Sequence, residues 1–228
     1  MIVSANQPYF APFAGFFYKA YLSDVFIILD GVQFPRGKTF ITRNRFKNDQ
    51  GTLWMTIPVW KKGLGLQCID EVRICHEGPW ARKHPASLKQ AYVHAPYLAD
   101  HLDFVEKMFS AGFERIQDLN LAVIRYLMRY LGIETRMLLL SELGLKQRGD
   151  QLLIDICRHL GASTYLTQRA ARKYLHSDLF RKAGIGLKYF SPPACIYPQL
   201  WGDFIPNLSA FDLVLNCGLK ARTILFAG

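Results

Sequence analysis

The sequence lacks an apolar run long enough to cross a membrane. Its first eighteen residues carry no charged side chain, but polar residues and prolines interrupt this stretch at Asn6, Gln7, Pro8 and Pro12. A secretory signal is not indicated either, because no basic segment follows Met1 and the apolar run is short. We therefore predict a cytoplasmic protein.

Cysteine pairs and histidine pairs with the spacing of metal ligands are also missing. The five cysteines form no Cys-x-x-Cys pair, and their odd number argues against a disulfide framework. Free thiols in a reducing compartment are the simpler interpretation. The pairs His76 with His84 and His94 with His101 are poorly spaced for a metal. We predict no metal site, and no pattern in the sequence identifies a cofactor.

Acidic residues are absent from two segments that are rich in basic ones. The segment between Asp30 and Asp49 contains five cations: Arg36, Lys38, Arg43, Arg45 and Lys47. The segment between Asp155 and Asp178 contains four: Arg158, Arg169, Arg172 and Lys173. Together with the net charge of +10, they indicate either a solvated basic surface or an anionic partner. That partner could be a phosphate-bearing small molecule, an acidic carrier protein or a nucleic acid. Aromatic residues near the cations would suit RNA, but no RNA-recognition signature is present.

Short apolar runs alternate with helical patterns along most of the chain. Strands are predicted at residues 2–5, 24–29, 53–60, 71–75, 133–140, 164–167 and 185–190. Helices are predicted at residues 12–22, 80–92, 97–109, 178–183 and 209–215, with two more capped by Asn120 and Asp150. This alternation predicts parallel βαβ units in a layered α/β fold. We expect one domain over residues 1–228, with residues 79–118 as a helical insertion or subdomain.

Polar residues follow two predicted strands at the point where each strand ends. Asp30 and Gln33 come after the second strand, and Gln7 comes after the first. Open α/β sheets bind ligands beyond the carboxyl ends of their strands. These three side chains are therefore candidates to orient reacting groups. The alternatives are a turn formed by Asp30 before Gly31 and a structural hydrogen bond from Gln7 to the following loop.

Arg43 and Arg45 alternate in a segment that could form a strand. Their side chains would then lie on one face, where two guanidinium groups can hold a phosphate or carboxylate. A solvated strand face is the alternative interpretation.

Several segments resemble the WbqC-like proteins. They are QPYFAPFAGFFYK (7–19), SDVFIILDGVQF (23–34), RNRFK (43–47), WMTIPV (54–59), YVHAPY (92–97), ASTYL (162–166) and LSAFDL (208–213). Such proteins are often encoded with functions for bacterial surface polysaccharide (O-antigen and lipopolysaccharide) or natural products, and are loosely described as transferases of an amino-acid or acyl group. The resemblance implies substrate-binding roles for residues in these segments, among them Pro8, Tyr9 and Asn44. It also singles out His84, whose side chain titrates near neutral pH, as an acid or base. A helix-surface or capping histidine is the alternative.

The opening segment also resembles, more faintly, the nucleotidyltransferase-like α/β fold. This resemblance implies a three-layer, Rossmann-like parallel sheet of the nucleotidyltransferase or HUP type. That fold binds nucleotide phosphates through a His-x-Gly-His motif, whereas this chain has Phe13-Ala14-Gly15-Phe16. Gly15 could let the backbone approach an anion at the helix N-terminus, or it could serve helix–strand packing.

Two tyrosines flank the second basic segment. Tyr165 and Tyr174 lie on either side of Arg169, Arg172 and Lys173, and they could stack on a base or a sugar. With Arg172 they complete the candidate binding set. Two tyrosines that pack against a sheet edge are an equally good interpretation.

The sequence leaves three functional hypotheses. The first is a transferase that moves an amino-acid or acyl group to an amine, such as a nucleotide-linked amino sugar, in surface-polysaccharide or natural-product biosynthesis. Its anionic substrate would be a nucleotide sugar or an acyl or aminoacyl donor. The second is a non-catalytic protein that binds an acidic carrier protein or nucleic acid. The third is a nucleotidyltransferase-like or ligase-like enzyme without the histidine motif. The resemblance to the WbqC-like proteins favours the first.

Overall fold

A computed structural model describes residues 1–226 of the chain. In this part of the chain the strands are β1 (Ile2–Asn6), β2 (Val25–Ile28), β3 (Arg43–Asn48), β4 (Gly51–Thr56), β5 (Arg136–Leu139), β6 (Thr164–Gln168) and β7 (Gly186–Phe190). The helices are α1 (Ala14–Tyr21), α2 (Trp80–Ala91), α3 (Leu98–Ser110), α4 (Ile116–Tyr130), α5 (Leu140–Leu143), α6 (Gly149–His159), α7 (Ser177–Lys182), α8 (Ala210–Cys217) and α9 (Lys220–Phe226). Within residues 1–226, none of the helices is long and apolar enough to span a bilayer.

Five strands form one parallel sheet in the order β5-β2-β1-β6-β7. The chain builds the sheet outward from β1, first to β2 and β5, and then to β6 and β7 on the other side. The direction of winding therefore reverses between β1 and β6, which is the arrangement of Rossmann-like sheets. The predicted α/β class with a Rossmann-like parallel sheet is confirmed.

Helices cover both faces of the sheet because the sheet strands are apolar on both sides. Along β2, Phe26 and Ile28 belong to a core cluster with α1, α4 and α8, whereas Val25 and Ile27 belong to a second cluster with α6 and α7. This alternation follows from the two-residue period of a strand. The result is three layers, with helices on either side of the sheet.

The segment between β2 and α4 carries a small antiparallel hairpin and two helices. The hairpin pairs β3 with β4 in the register Arg43↔Thr56 to Asn48↔Gly51. Strand β4 ends at Thr56, earlier than the strand predicted at residues 53–60, and Pro58 lies outside it. The strand predicted at residues 71–75 is wrong. In its place a 3₁₀ turn at Ile69–Glu71 is followed by the isolated bridges Arg73↔Arg115 and Val59↔Ile74. Helices α2 and α3 follow, within the segment predicted to be a helical insertion.

The predicted helix caps at Asn120 and Asp150 are wrong, whereas Ser209, the first residue of the helix predicted at residues 209–215, is a cap. Helix α4 begins at Ile116, so Asn120 lies inside the helix and faces the core. Helix α6 begins at Gly149, and Asp150 lies in its first turn, where its carboxylate accepts hydrogen bonds from His176. Ser209 is the N-cap of α8, because its hydroxyl accepts a hydrogen bond from the backbone of Phe211.

Candidate functional site

The central sheet opens at the carboxyl ends of β1 and β6. The paired positions of these two strands stop at Val3↔Tyr165. Each strand nevertheless continues beside its other neighbour, β1 to Asn6 and β6 to Gln168. The two strands therefore diverge where the winding of the sheet reverses, and this is the place where open α/β sheets bind their ligands.

A cleft of about 360 Å³ lies above this opening. We call it the aromatic cleft; its lining residues are Tyr9, Phe13, Phe40, Arg45, Gln168, Pro192 and Asn207. The rings of Tyr9 and Phe40 lie 5.9 Å apart, and those of Phe40 and Trp54 lie 6.3 Å apart. Both Phe40 and Trp54 are 43% exposed, so the row of rings presents a surface to solvent. Exposed rings beside a cleft can stack on the planar group of a ligand.

Arg45 supplies the positive charge of the aromatic cleft. It lies on β3, as the alternating pattern predicts, and its Nη2 donates to the backbone carbonyls of Pro206 and Asn207 at 3.2 and 3.0 Å. Its Nε is buried without a partner among the described residues. No carboxylate within residues 1–226 forms an ion pair with this guanidinium. The charge is thus held in place by neutral carbonyls and remains available to an anion.

Arg43 lies two residues earlier on the same strand face. Its guanidinium stacks over the ring of Trp54, 4.2 Å from the centroid. This stacking leaves the edge of the guanidinium free to donate hydrogen bonds. The two arginines therefore reach the aromatic surface from one face, as the sequence pattern predicts, but only Arg45 lines the cleft itself.

A second cation, Lys19, is buried beside the opening of the sheet. The backbone carbonyl of Asn6 bonds toward β2, and therefore that of Ala5 faces the gap toward β6. The Nζ of Lys19 donates to this carbonyl at 2.5 Å and lies 3.5 Å from Oδ1 of Asn6. Lys19 is 6% exposed, and burial lowers its pKa to about 8. A buried ammonium group without an acid is a source of positive potential for a bound anion. Sequence reasoning missed this residue.

Two buried asparagines hold the loop that follows β1. The Nδ2 of Asn44 donates to the carbonyls of Phe10 and Ala11 at 2.9 and 2.6 Å, and its Oδ1 accepts from the backbone of Arg45 at 2.8 Å. The Nδ2 of Asn120 donates to the carbonyls of Pro8 and Ile41, both at 2.8 Å. Both polar groups of Asn44 are occupied within the chain. Asn44 therefore supports the cleft, and its role in binding substrate stays a prediction.

The loop held in this way has a strained backbone. Ala11 has φ of 42°, and Asn207, which lines the cleft, has φ of 57°. A third such residue, Trp201 with φ of 61°, does not line this cleft. Left-handed conformations of residues other than glycine cost free energy and concentrate at functional sites. One of these positions, Asn207, lies in the cleft lining itself, and Ala11 lies in the loop that contains the cleft residues Tyr9 and Phe13.

Asp30 lies at the carboxyl end of β2, but the chain itself satisfies its carboxylate. The backbone N–H groups of Gly31 and Ser141 donate to Oδ1 at 3.0 and 2.9 Å, and the Ser141 hydroxyl donates to Oδ2 at 2.5 Å. Asp30 is fully buried. This geometry matches the turn interpretation of the sequence and extends it, because the carboxylate also fixes the start of α5.

The other polar residues predicted at strand ends differ in position. Gln7 is partly buried beside the opening, and Tyr9 lines the cleft two residues later. Burial raises the pKa of Tyr9, and this effect is larger than that of a hydrogen bond with Asn6, which lowers the pKa. The Tyr9 hydroxyl therefore keeps its proton. Gln33 is exposed and pairs with Cys68 in an isolated bridge, away from the cleft lining.

Gly15 lies where a second cavity meets the aromatic cleft. A methyl group at this position would lie 2.5 Å from Cε2 of Phe13 and 3.0 Å from Pro192. Space above Gly15 is thus filled by these two side chains, which both line the aromatic cleft. The packing interpretation of this glycine matches the geometry, and its contact with substrate stays a prediction. The helix that begins here has no side-chain cap and no acid in its first turn.

The second cavity has a volume of about 340 Å³, and we call it the apolar cavity. It is lined by Ala14, Gly15, Pro192, Pro193, Ala194, Cys195, Ile196, Tyr197, Phe204, Pro206, Asn207, Leu208, Ser209, Ala210 and Leu213. Pro192 and Asn207 also line the aromatic cleft, so the two spaces share a wall.

A buried polar network anchors the segment that covers the apolar cavity. Asp212 on α8 accepts hydrogen bonds from the hydroxyls of Tyr92 and Tyr197 at 2.7 and 2.8 Å. Burial raises the pKa of Asp212. The two hydrogen bonds and the charge of Lys47 lower the pKa, but the effect of burial is larger. The Nζ of Lys47 in turn donates to Gln199 and to the carbonyl of Asp203. This network ties residues 197–203 to β3 and α8, and sequence reasoning did not foresee it.

His84 lies on α2, outside the linings of both cavities. Its Nε2 is 2.8 Å from the carbonyl of Thr56, to which it donates, and its ring packs edge-on against Trp80 and Phe109. Burial lowers the pKa of His84, and the hydrogen bond to Thr56 acts in the opposite direction. The contacts match the structural interpretation of this residue. Its role as an acid or base stays a prediction.

The second basic segment follows β6 at the carboxyl edge of the sheet. Arg172 lies in a 3₁₀ turn and stacks over Tyr189 at 5.1 Å, and Tyr174 is 77% exposed. Tyr165 is 3% exposed and packs on Phe180 in the core. The structure therefore separates the three predicted residues: Arg172 and Tyr174 are accessible, and Tyr165 is a core residue.

One group of potential metal ligands exists among the described residues. Ligand atoms of Cys68, Asp70 and Glu71 lie within 4.8 Å of one another. The Glu71 carboxylate accepts from the backbone of Cys68 at 2.7 Å, as the cap of the 3₁₀ turn. Burial raises the pKa of Asp70, and the charges of Asp30 and Glu71 add to the shift. This hydrogen bond and the capping role account for the position of Glu71 without a metal.

Several cleft residues were not predicted, although one of them carried a usable signal. Gln168 follows the strand predicted at residues 164–167 in the same way that Gln7 follows the first strand. The rule that selected Gln7 would therefore have selected Gln168. The local signal at Phe40 is weak, since it is an aromatic residue between the cations Lys38 and Arg43. Pro192 and Asn207 carried no local signal, because the long-range fold brings them to the cleft.

Comparisons with known proteins give a family over nearly the whole chain. Residues 7–224 match the model of the WbqC-like protein family. The uncharacterized protein Rv1507c of Mycobacterium tuberculosis is 31% identical over 226 residues, which cover 98% of this chain and 96% of that protein. No solved structure matches the chain significantly. The matched segment begins directly after β1 and includes α1 through most of α9, and so contains the lining of both cavities and the buried network. The chain therefore belongs to the WbqC-like protein family.

Proposed function

We propose that the protein is a biosynthetic group transferase that binds a nucleotide-linked amine, such as a nucleotide-linked amino sugar, in the aromatic cleft. The observation that carries this proposal is the combination of a row of aromatic rings and an arginine without an acidic partner at the reversal point of a Rossmann-like sheet. Planar bases stack on such rings, and diphosphates pair with such cations. Membership of the WbqC-like family suggests a biosynthetic role of this kind.

The charge distribution supports an anionic ligand in the aromatic cleft. Arg45 lines it, and the buried ammonium group of Lys19 lies behind it, connected through Asn6 to Tyr9. No acidic side chain lines this cleft. A diphosphate bound there would therefore meet positive potential from two directions and no repulsive carboxylate.

The reaction that we propose joins the amine nitrogen to the carbonyl carbon of an activated amino-acid or acyl donor. A carbon–nitrogen bond forms, the bond between that carbon and its leaving group breaks, and the leaving group departs with the proton lost by the amine. Residues of the aromatic cleft bind and orient the amine substrate, which lowers the entropic part of the barrier. An acidic carrier protein could present the donor, since Arg169, Arg172 and Lys173 are exposed near the same edge of the sheet.

Titration calorimetry with UDP, uridine and UDP-N-acetylglucosamine tests this proposal. UDP should bind more tightly than uridine, because only UDP carries the diphosphate that Arg45 would contact. Arg45→Gln should weaken UDP binding about ten- to hundredfold, the range expected when a charge-assisted hydrogen bond is lost. Arg136→Gln is the control for net charge, because Arg136 is an arginine on a strand, is exposed, and begins the edge strand β5 outside the lining of the aromatic cleft.

The outcomes of this titration separate the proposal from its competitors. Equal loss of affinity in both arginine variants would mean that UDP binding depends on the net charge of the protein and not on the aromatic cleft. No binding of UDP, ADP or coenzyme A, together with salt-sensitive binding of a short RNA, would refute the transferase proposal.

A non-catalytic binding protein is the second candidate. Its support is the basic turn at Arg169–Lys173, whose cations form no ion pair within residues 1–226. Such a surface suits an acidic carrier protein or a nucleic acid. A nucleotidyltransferase-like enzyme has less support, since Phe16 is buried and Phe13 packs over Gly15 where that chemistry would need histidines.

A further inference from the structure

The apolar cavity lies directly beside the aromatic cleft and has a different chemical character. We propose that it holds the apolar chain of an acyl donor, and that the transferred group is therefore an uncharged acyl group of several carbons. This inference rests on the proposed function, because it assigns the second substrate of the same reaction. It goes further by naming the chemical class of that substrate.

Volume and lining favour an apolar occupant. The cavity measures about 340 Å³, or the volume of about eleven water molecules at roughly 30 Å³ each. No residue that lines it is acidic, basic or a histidine. A charged group placed there would lose its hydration without gaining a partner. A chain of several methylene groups would instead be stabilised by its removal from water.

Most polar side chains in the wall are hydrogen-bonded or uncharged, and the remaining one is the amide of Asn207 at the border with the aromatic cleft. The Tyr197 hydroxyl donates to Asp212 and accepts from Gln199 at 3.2 Å. The Ser209 hydroxyl accepts from the backbone of Phe211. Burial raises the pKa of the Cys195 thiol, so it remains protonated and uncharged. The wall therefore offers few unpaired donors to a polar side chain of a substrate.

The shared wall connects the two binding regions. Pro192 and Asn207 line both spaces. An acyl chain in the apolar cavity would thus have its carbonyl end near the border with the aromatic cleft. The amine of a substrate held in that cleft would approach from the other side of this border. The arrangement brings the two reacting groups together without moving either binding region.

Protection of Cys195 from alkylation tests this assignment, because Cys195 lines the cavity. The probes are acetamide, butyramide and hexanamide, together with adipamate, which has the chain length of hexanamide but ends in a carboxylate. N-ethylmaleimide labelling of the Cys195 peptide is followed by mass spectrometry, with the four other cysteines as internal references. We expect the concentration for half-protection to fall about tenfold for every two methylene groups. Adipamate should protect no better than acetamide.

Two tryptophan variants in the covering segment provide the control. Ala194→Trp should fill the cavity and abolish protection, because Ala194 is exposed at its wall. Ser191→Trp lies three residues earlier, is also exposed and does not line the cavity, so it should leave protection unchanged. Equal protection by acetamide and hexanamide, or protection by adipamate, would overturn the assignment.

The failure of this inference can be told apart from failure of the proposed function. UDP binding is measured on the same preparations. Chain-length-dependent protection without UDP binding would retain the cavity as an acyl pocket and refute the nucleotide-linked acceptor. UDP binding without chain-length-dependent protection would retain the nucleotide-linked acceptor and refute the assignment of the cavity as an acyl pocket.

Discussion

Replacing Asn44 with alanine is expected to destabilise the protein by about 3 kcal/mol while leaving the ligand chemistry of the cleft in place. The side chain is 1% exposed and makes hydrogen bonds to three backbone groups, at Phe10, Ala11 and Arg45. Because both ends of the amide are used inside the chain, the loss should appear first as lost stability. A residue that contacted substrate directly would show the reverse pattern.

The magnitude follows from what alanine leaves behind. A buried hydrogen bond contributes about 1 kcal/mol net, so the loss of three gives about 3 kcal/mol. Each carbonyl or N–H group left unsatisfied adds up to roughly 2 kcal/mol if water cannot reach it. Relaxation of the strained Ala11, with φ of 42°, would recover part of this cost. We therefore expect between about 2 and 5 kcal/mol.

Urea unfolding followed by tryptophan fluorescence measures this difference. With a slope of about 2 to 3 kcal/mol per molar, a loss of 3 kcal/mol shifts the unfolding midpoint by about 1 to 1.5 M. Asn48→Ala is the control on the same strand, because Asn48 makes one hydrogen bond to the backbone of Gln50 in the exposed turn. It should cost less than about 1 kcal/mol. If Asn44→Ala unfolds with the wild-type midpoint but loses UDP binding, our structural interpretation of Asn44 is wrong.

Three other residues give shorter tests. Burial lowers the pKa of Lys19 to about 8, whereas an unfolded lysine keeps its proton up to about pH 10.5. Between these two pH values the unfolded state binds more protons than the folded state, so the free energy of unfolding of the wild type should rise with pH. Relative to Lys19→Met, the free energy of unfolding should increase by roughly 2 to 3 kcal/mol across this range; a flat difference would mean that Lys19 is not desolvated. His84→Ala should lower the melting temperature without changing the affinity for UDP, because His84 contacts Thr56, Trp80 and Phe109 outside the cleft; unchanged stability with lost turnover would instead support a catalytic role. Gly15→Ala should cost about 1 to 3 kcal/mol in urea unfolding, since its methyl group would lie 2.5 Å from Phe13, and a wild-type midpoint would show that the Phe13 ring moves freely.

Local patterns in the sequence were sufficient for the sheet. The run Val25–Ile28 is short, apolar and β-branched, and a strand buried on both faces must have this composition. Arg43 and Arg45 were expected to share a face if their segment formed a strand, and both lie on β3, where the period of two is a property of the backbone. In both cases the information lies within a few consecutive residues.

The position of Asn120 shows where such patterns fail. An asparagine before a run of apolar residues at helical spacing looks like a cap, yet α4 begins four residues earlier. The side chain instead donates to carbonyls 112 and 79 residues away in sequence. No local rule can distinguish these two uses of an amide, since both place asparagine beside the same helical pattern. The difference exists only after the loop beyond β1 has packed against α4.

Two kinds of polar residue build the site, those that support its loops and those that face a ligand. Asp30, Asn44 and Asn120 are buried polar residues whose groups bond to the backbone of loops at the carboxyl edge of the sheet. Their hydrogen bonds favour one conformation of these loops, because another conformation would leave the bonded donors and acceptors unpaired. The Oδ1 of Asn120 is the exception, since it is buried without a partner among the described residues. Arg45 differs from them because its cation is held only by neutral carbonyls. A site built for an anion needs both kinds of residue, so substitutions in the first group should alter stability and substitutions of Arg45 should alter affinity.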